Sequence, residues 1–454
     1  MGLLSALVNS ANALNIYDQE FATIQNNIGN ANTPGYADEN LALKSDSFDP
    51  QAHIYGGVQV ASLQSSRSEY LEQNVRNEQS LLGSAQQQAA DLAPLESIFN
   101  LTSSSGISGS LTAFFNSFSA LSVNPNDPVA RQNVLNTAGT LATSFNQAAN
   151  SIDTAAANVK SETANSVAAI NKIALDLATL NQDYAATGDV GNAGLDAQKN
   201  ADLENLSQIA NFTVVPTGNG QVNVYLGGQT PLVLNGQFYQ ISANFSAPQT
   251  VIEDSQGNDV TSQLTGGQLA AQLGETNTTL PGYTAQLNTL AQTLADTVNN
   301  QLNAGVDQGG NPPANDLFTY TAASGTAYTL AVNPLMTPTG IAAASPADPG
   351  GNGNALALAQ LGTAQTVGNY TFAQAFGNLG QTVGTDISNA RNSTTEQQSL
   401  LTQAQSARSA VQGVSLDTEA AKLLQFQQSY EAVAKMVSTL NSLTTSLMNM
   451  MPPA

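Results

Sequence analysis

The sequence predicts a mainly α protein with a β-rich insertion, built as nested domains in which the two ends of the chain belong together. Three patterns predict it. Near the start, Leu7, Leu14, Phe21 and Ile28 recur every seven residues, with Leu3, Tyr17 and Ile24 on a companion row. Near the finish, Leu416, Leu423, Tyr430 and Val437 make one row, and Phe426, Val433, Leu440 and Leu447 make a second, offset by three. Between these ends, long helical-period segments flank one stretch, 211–264, whose apolar residues alternate instead. Two apolar rows offset by three form the a and d seam of a coiled coil, and such a stripe is not stable in water alone. Each end therefore needs a partner, either the other end or a neighbouring subunit. That points to assembly rather than catalysis.

The first helix is expected from about Gly2 to Asn30, about 40 Å at 1.5 Å per residue. It stops at Asn32-Thr33-Pro34-Gly35-Tyr36, because the residue before a proline leaves the α region and Pro-Gly fits the centre of a type II turn. These five residues read as a hinge that redirects the chain. A short strand follows from Gly57 to Leu63, where Val58, Val60 and Ser62 alternate with the other face. Helical periodicity returns from about Arg67 to Leu101, with Leu71, Val75, Leu82, Ala85, Ala89, Leu92 and Phe99 near one face. Ile107, Leu111, Phe114, Phe118 and Leu121 define an amphipathic helix with an aromatic-rich face. Asp127-Pro128 reads as an N-cap with proline at the first helical position. The helix it opens should run to about Tyr184, broken by Gly188, Gly191 and Gly194.

After a short helix to about Ala210, strands are expected at Phe212–Val215, Val222–Leu226 and Leu232–Leu234, with Gly218-Asn219-Gly220 as a hairpin turn. Two more lie near Phe238–Phe245 and Thr250–Glu253. Helix resumes from about Gly267 to Leu302, then a Gly-, Pro-, Ala- and Asn-rich stretch carries short strands near Leu317–Tyr320 and Tyr328–Val332. A long helix from about Tyr370 to Val411 breaks at Gly413. The terminal helix then opens with Asp417 and Glu419, acids that suit the positive end of its dipole. The expected organisation is a terminal coiled-coil domain of residues 1–36 and 414–454, a helical middle domain of 37–210 and 265–413, and a β-rich insertion at 211–264.

The 454 residues carry 11 Lys+Arg against 33 Asp+Glu, a formal charge of -22, which argues against nucleic acid and anionic membranes as partners. Charged residues are 10% of the chain, so Asn, Gln, Ser and Thr supply most of the polar surface, as suits packing against copies of itself. With no cysteine, disulfides, thiolate metal sites and thiol nucleophiles are excluded. The first basic residue is Lys44, so the start lacks the basic n-region of a secretory signal peptide, and no run of about 18 apolar residues would span a membrane. If the protein leaves the cell, it is expected to use another route.

Candidate chemistry is thin. His53 is the single histidine, so a metal site or a His-dependent triad has little to build on. Glu69, Glu72 and Glu78 share a helix and read as a solvated acidic face rather than a glycosidase pair. The acids of 254–259 and 307–316 lie near glycines without EF-hand spacing, and no phosphate-binding glycine motif is present. No catalytic, cofactor or metal residue is therefore assigned.

Two terminal segments carry a family resemblance. The run Asn26-Asn27-Ile28-Gly29-Asn30-Ala31-Asn32-Thr33-Pro34-Gly35-Tyr36 is similar to the opening signature of the rod, hook and hook-associated proteins of bacterial flagella. The run from Ser415 to Ala432 resembles the closing helix of the same family. Internal segments point to a hook-associated member: Ser119–Pro125 with Ala130–Leu135, Val222–Gly228, and Gly266–Leu269 with Leu280–Tyr283. The sequence departs where members often place Ser-Arg after Pro-Gly-Tyr, since Ala37-Asp38-Glu39 stands here. The central insertion is also short, which implies a small or absent outer domain.

The resemblance implies an extracellular structural adaptor joining hook to filament, exported by the flagellar type III pathway without a cleaved signal. It also implies a ring of its own copies, contacts with the hook protein and an adjacent hook-associated protein, and an export chaperone. The apolar rows would then be the assembly interface: Leu7, Leu14, Tyr17, Phe21, Ile24, Ile28, Leu416, Leu423, Phe426, Tyr430, Val433, Val437, Leu440 and Leu447. Burying a Leu or Phe gives about 1.5–3 kcal/mol, so a dozen such positions can order ends that are unfolded before assembly. The alternatives are another axial protein such as a filament subunit, an enzyme remodelling cell-wall glycan through Glu72 or Glu78, and an adhesin-like binder using the insertion.

Overall fold

The computed structural model describes residues 2–49, 54–99, 106–188, 192–246 and 248–450. Helix α1 (Gly2–Asn30) leads through the proline turn into an antiparallel ribbon of β1 (Glu39–Asp49) and β2 (Ile54–Ser65), with a bulge between Ala42 and Leu43. Then come α2 (Glu69–Leu92), a 3₁₀ turn at Ala93–Leu95, α3 (Gly106–Val123), α4 (Pro128–Thr187) and α5 (Ala193–Ile209). Strands β3 (Phe212–Gly218), β4 (Gln221–Leu226), β5 (Thr230–Leu234) and β6 (Gln237–Phe238) form an antiparallel sheet in that order. β7 (Ser242–Asn244) pairs with β8 (Val251–Glu253) beside it. A helix then runs from α6 (Gly267–Gly274) through a π segment at Glu275–Thr279 into α7 (Leu280–Asn303). The short pair β9 (Phe318–Thr319) and β10 (Ala331–Val332) brackets the single helical turn α8 (Thr326–Thr329). α9 (Gly353–Gln360), α10 (Phe372–Gln412) and α11 (Leu416–Met450) complete the chain.

The 60-residue α4 is the spine, about 90 Å long at 1.5 Å per residue. Its ends are fixed locally. Asp127 accepts a hydrogen bond from Val129 N at 2.9 Å with Pro128 at the first position, and Gly188 closes the far end at φ 60°. Along it lie two hydrophobic cores. The first gathers Phe114, Phe118, Phe145, Phe318 and Phe376 from α3, α4, β9 and α10. The second packs Ile170 and Leu177 of α4 against Leu206 of α5, Val224 and Leu232 of the sheet, and Leu269 of α6. In the sheet, β4 buries every second residue, as a half-buried strand requires. Its hairpin with β3 turns on Asn219 and Gly220, both with positive φ (51° and 79°), the geometry of a type I′ turn.

Several details differ from the sequence expectation. Gly57–Leu63 is one half of a longer ribbon, and β1 was not expected. Its partner strand supplies the backbone hydrogen bonds, while Leu43, Phe48 and Leu63 stay exposed, so no buried stripe marked it. The helix expected from 67 to 101 ends at Leu92, and Leu101 lies outside the described residues. Gly194 sits in the first turn of α5 rather than in a break, because Asn192 caps that helix through Gly194 N and Leu195 N, both at 3.1 Å. Tyr328 closes a helical turn, not a strand. α9 lies almost wholly between the Gly-rich stretch and the helix expected from about Tyr370, where the sequence reading assigns no element. His53, Gly191 and the residues after Met450 lie outside the described residues.

Candidate assembly interface

α11 runs antiparallel along α1. Ser10 Oγ lies 3.6 Å from Met436 Sδ, the Tyr17 and Phe426 rings are 6.0 Å apart, as are those of Phe21 and Tyr430, and Asn27 Nδ2 donates to Glu419 Oε2 at 3.2 Å. Of the residues expected in the interface, Ile24 is buried, whereas Leu7, Leu14, Tyr17, Phe21, Leu423, Phe426, Tyr430, Val433, Val437 and Leu440 are half-buried. Ile28, Leu416 and Leu447 are 40%, 54% and 52% exposed. The two helices therefore cover each other's seam in part. Phe21, Ile24, Ile28, Leu423 and Tyr430 line an open groove of about 670 Å³ between them.

The heptad rows missed Ile16, which is buried. α1 packs on β2 as well as on α11, with Asn9 Nδ2 donating to Gly56 O at 2.9 Å, and a two-row reading leaves out that second face. The last turns of α11 have no cover: Leu443, Leu447, Met448 and Met450 are all at least half exposed.

The base of the arm is held by polar groups. Asn27, fully buried, donates from Nδ2 to Asp38 Oδ1 (2.8 Å), Glu39 O (2.8 Å) and Glu419 Oε2, and its Oδ1 accepts from Tyr36 Oη (2.8 Å) and Glu39 N (3.1 Å). Lys422 Nζ reaches Glu419 Oε1 (2.7 Å) and Asn40 Oδ1 (2.7 Å). This cluster is rich in acids. Burial raises the carboxyl groups of Glu20 and Glu39 above the usual carboxylate range, and it raises the Tyr36 hydroxyl as well.

In the residues read as a hinge, Asn32, Thr33 and Pro34 are exposed, whereas Gly35 and Tyr36 are half-buried. Tyr36 N donates to Thr33 O at 3.1 Å with Gly35 at φ 74°, which suits a type II turn. The turn is fastened to its surroundings. Arg67 donates to Gly35 O at 2.5 Å, and a Cβ added at Gly35 would fall 2.2 Å from Ala197 O on α5.

Behind the turn lies Glu72, and here the acidic-face expectation is corrected. Its carboxylate is 3% exposed and takes hydrogen bonds from Arg67 (2.5 Å), Gln412 Nε2 (2.8 Å) and Arg408 (3.1 Å). Arg408 also pairs with Glu204 of α5 at 2.7 Å, and Glu69 pairs with Arg76. Gln412 then ties α10 to both neighbours, its carbonyl accepting from Asp38 N and its side chain from Ser68 N, each at 2.9 Å. A charge that ties α2, α5 and α10 together is not a solvated surface. The acids of the Gly-rich loops are also occupied: Asp254 accepts from Gln256 N (2.8 Å) and Asn258 N (2.9 Å), and Asp307 from Gly309 N and Asn311 N (both 2.8 Å). Among the described residues no cluster of His, Cys, Asp and Glu could hold a metal ion, and no helix is long and apolar enough to cross a membrane.

A braced helical body carrying an incompletely covered two-helix arm made of both termini is the architecture of a structural protein rather than of an enzyme built around a cleft. Comparison with known proteins gives the family. A model of the flagellar hook-associated protein FlgK helical domain matches residues 92–318, half of the chain, and one of the flagellar basal body rod FlgEFG protein C-terminal region matches residues 406–450. The chain belongs to the flagellar hook-associated FlgK family and is a structural component of the bacterial flagellum at the hook–filament junction. Flagellar hook-associated protein 1 of Bacillus subtilis is 26% identical to it over 500 residues, spanning 98% of this chain and 97% of that protein. Its namesake from Salmonella typhimurium is 24% identical over 554 residues, spanning 98% and 100%. The solved flagellar hook junction protein FlgK from Burkholderia pseudomallei superposes with a TM-score of 0.69 at 17% identity, over 75% of this chain and all of that one.

Proposed function

We propose that the α1/α11 arm is the part through which the junction is built, and that copies of this chain and neighbouring axial subunits complete the cover its two helices leave open. The observation that carries this reading is the groove. Five of the residues expected in the interface line it, and four of them, all but the buried Ile24, still meet water in the single chain. Knobs from a neighbouring helix would bury the same rows that already face each other here. On this reading residues 1–36 and 414–454 form the axial domain, and the fastened Pro34-Gly35 turn sets the angle between that domain and the helical body. The partners are further copies in a ring, the hook protein on one side and an adjacent hook-associated protein on the other, with a chaperone shielding the arm beforehand. Export follows the flagellar type III route with no signal cleaved.

Labelled-antibody microscopy of isolated flagella tests the placement. A band at the hook–filament boundary supports it, and uniform labelling of the filament refutes it. For the interface, Leu423→Asp and Phe21→Asp should abolish incorporation while the far-ultraviolet circular dichroism of the purified chain stays nearly unchanged. Mass spectrometry of exported protein tests the route, since an N-terminus trimmed at an internal site would contradict it.

A further inference from the structure

A polar seam divides the two large hydrophobic cores. α4 passes through both, with Val159 in the first and Val167 in the second, and between them its buried residues are Thr163 and Ser166. The α6–α7 helix crosses the same boundary, with Leu273 in the second core and Leu280 in the first. There its backbone widens into the π segment, whose first residue, Glu275, is 1% exposed. α2 reaches the same place and brings Asp91, 6% exposed.

Three carboxylates meet at the seam. Gln87 Nε2 donates both to Asp91 Oδ1 (2.8 Å) and to Glu162 Oε2 of α4 (2.5 Å), and Gln88 Nε2 donates to Glu275 Oε1 (3.3 Å). Asp91 Oδ2 and Glu275 Oε2 are buried without a hydrogen-bond partner. The group acting on Glu275 from α10 is another acid, Asp386, which accepts the Tyr283 hydroxyl of α7 at 2.5 Å. The nearby bases point elsewhere. Arg391 of α10 pairs with Glu96 at 2.6 Å, and Lys160 of α4 lies two positions from Glu162, hence on a different side of that helix. Burial first, and the neighbouring acids with it, push Asp91 and Glu275 each up to about 7.

We propose that this seam is a proton-controlled hinge: with Asp91 and Glu275 protonated the two cores dock as one body, and loss of those protons frees them to move at the π segment. When the seam opens, water reaches both acids and they return to the ordinary carboxylate range near ~4. The closed form holds the extra protons, so opening becomes easier as pH rises from about 4 to about 7 and levels off above that. The π segment is where the helix can absorb the change, because its backbone hydrogen bonds already lie outside the α register.

Hydrogen–deuterium exchange on the full chain from pH 5 to pH 8, corrected for intrinsic rates, tests the hinge. Peptides covering 273–281 should open about tenfold more per pH unit for each titrating carboxylate between pH 5 and 7, then level off, while peptides of α3 stay constant. Asp91→Asn with Glu275→Gln should flatten the profile, and Asp91→Asn alone should lower its slope by about half. The proposal is overturned by a flat wild-type profile, by an unchanged slope in the variants, or by a rise in α3 parallel to that at the seam.

Discussion

Asn27 and Glu419, 392 positions apart in the chain, share a buried hydrogen bond of 3.2 Å, and through it the first helix recognises the last. The amide of Asn27 also holds Asp38, Glu39 and Tyr36, so a single side chain joins both termini to the start of the ribbon. Removing it leaves several buried polar groups unpaired, at about 1–3 kcal/mol for each. Asn27→Ala should therefore open the arm to limited proteolysis near residues 20–30 and 415–425. The thermal transition of the aromatic core around Phe114 and Phe145 should stay in place. An arm as resistant as wild type would show that the apolar contacts suffice without Asn27.

Glu72 has a different role, because it neutralises charge inside the brace. Without its carboxylate, Arg67 and Arg408 keep their burial and lose their common partner. Breaking a buried pair by removing one member costs about 3–5 kcal/mol. Glu72→Ala should lower the urea midpoint of the full chain accordingly, with part of the loss recovered when Arg408 is also replaced by Met. Additive losses in the double variant would argue against a shared network.

At Gly35 the backbone is at φ 74° and any Cβ would meet Ala197 O at 2.2 Å. A side chain there brings both left-handed strain and a backbone clash, and strain of the first kind alone costs about 1–3 kcal/mol. Gly35→Ala should displace the turn from α5 and weaken incorporation into flagella more than it lowers the melting temperature of the helical body. Equal loss of both would mean that the turn matters for folding and has no separate part in orientation.

The two raised carboxyls at the base of the arm give it a pH dependence of definite sign. Glu20 and Glu39 lie above their unfolded values because of burial, so the folded arm binds more protons than the unfolded one. Stability is then fullest below the ordinary carboxylate pKa of about 4 and falls as pH rises through the raised folded values. Glu20→Gln should stabilise the arm at pH 8 and leave it unchanged at pH 4. Differential scanning calorimetry at the two pH values reads the contrast, and a stabilisation larger at pH 4 would reverse the sign.

What sequence reasoning reached depended on how local the signal was. The ends of α4 could be placed because Asp127-Pro128 and Gly188 carry their capping chemistry in adjacent residues. The β3–β4 turn was readable for the same reason, in Asn219-Gly220. The terminal rows were readable from their period alone, although a period says which residues want cover and not how much of it one partner gives. Nothing near β1 announced it, since from Leu43 to Phe48 both of its faces are exposed and no alternation is imposed there. The π segment was hidden because Glu275–Thr279 continues a helical pattern on both sides. Glu72 looked solvated because Arg408 and Gln412, which bury it, lie 336 and 340 positions away.

The far end of α11 separates folding from assembly. Every described side chain from Asn441 to Met450 is exposed, and of the four large apolar ones, Leu443, Leu447, Met448 and Met450, Leu447 ends the second heptad row while the other three widen the apolar surface around it. Surface substitutions without partners usually change stability by about 0.5 kcal/mol or less. Ending the chain after Leu440 should accordingly leave the melting temperature of the monomer within a degree or two. The same stretch offers apolar area that only a neighbour can bury, at about 25 cal/mol per Å². Incorporation of the shortened chain into flagella should therefore fall steeply despite its intact fold. Normal incorporation would confine the working interface to the stretch between Leu7 and Leu440, where α1 and α11 already meet.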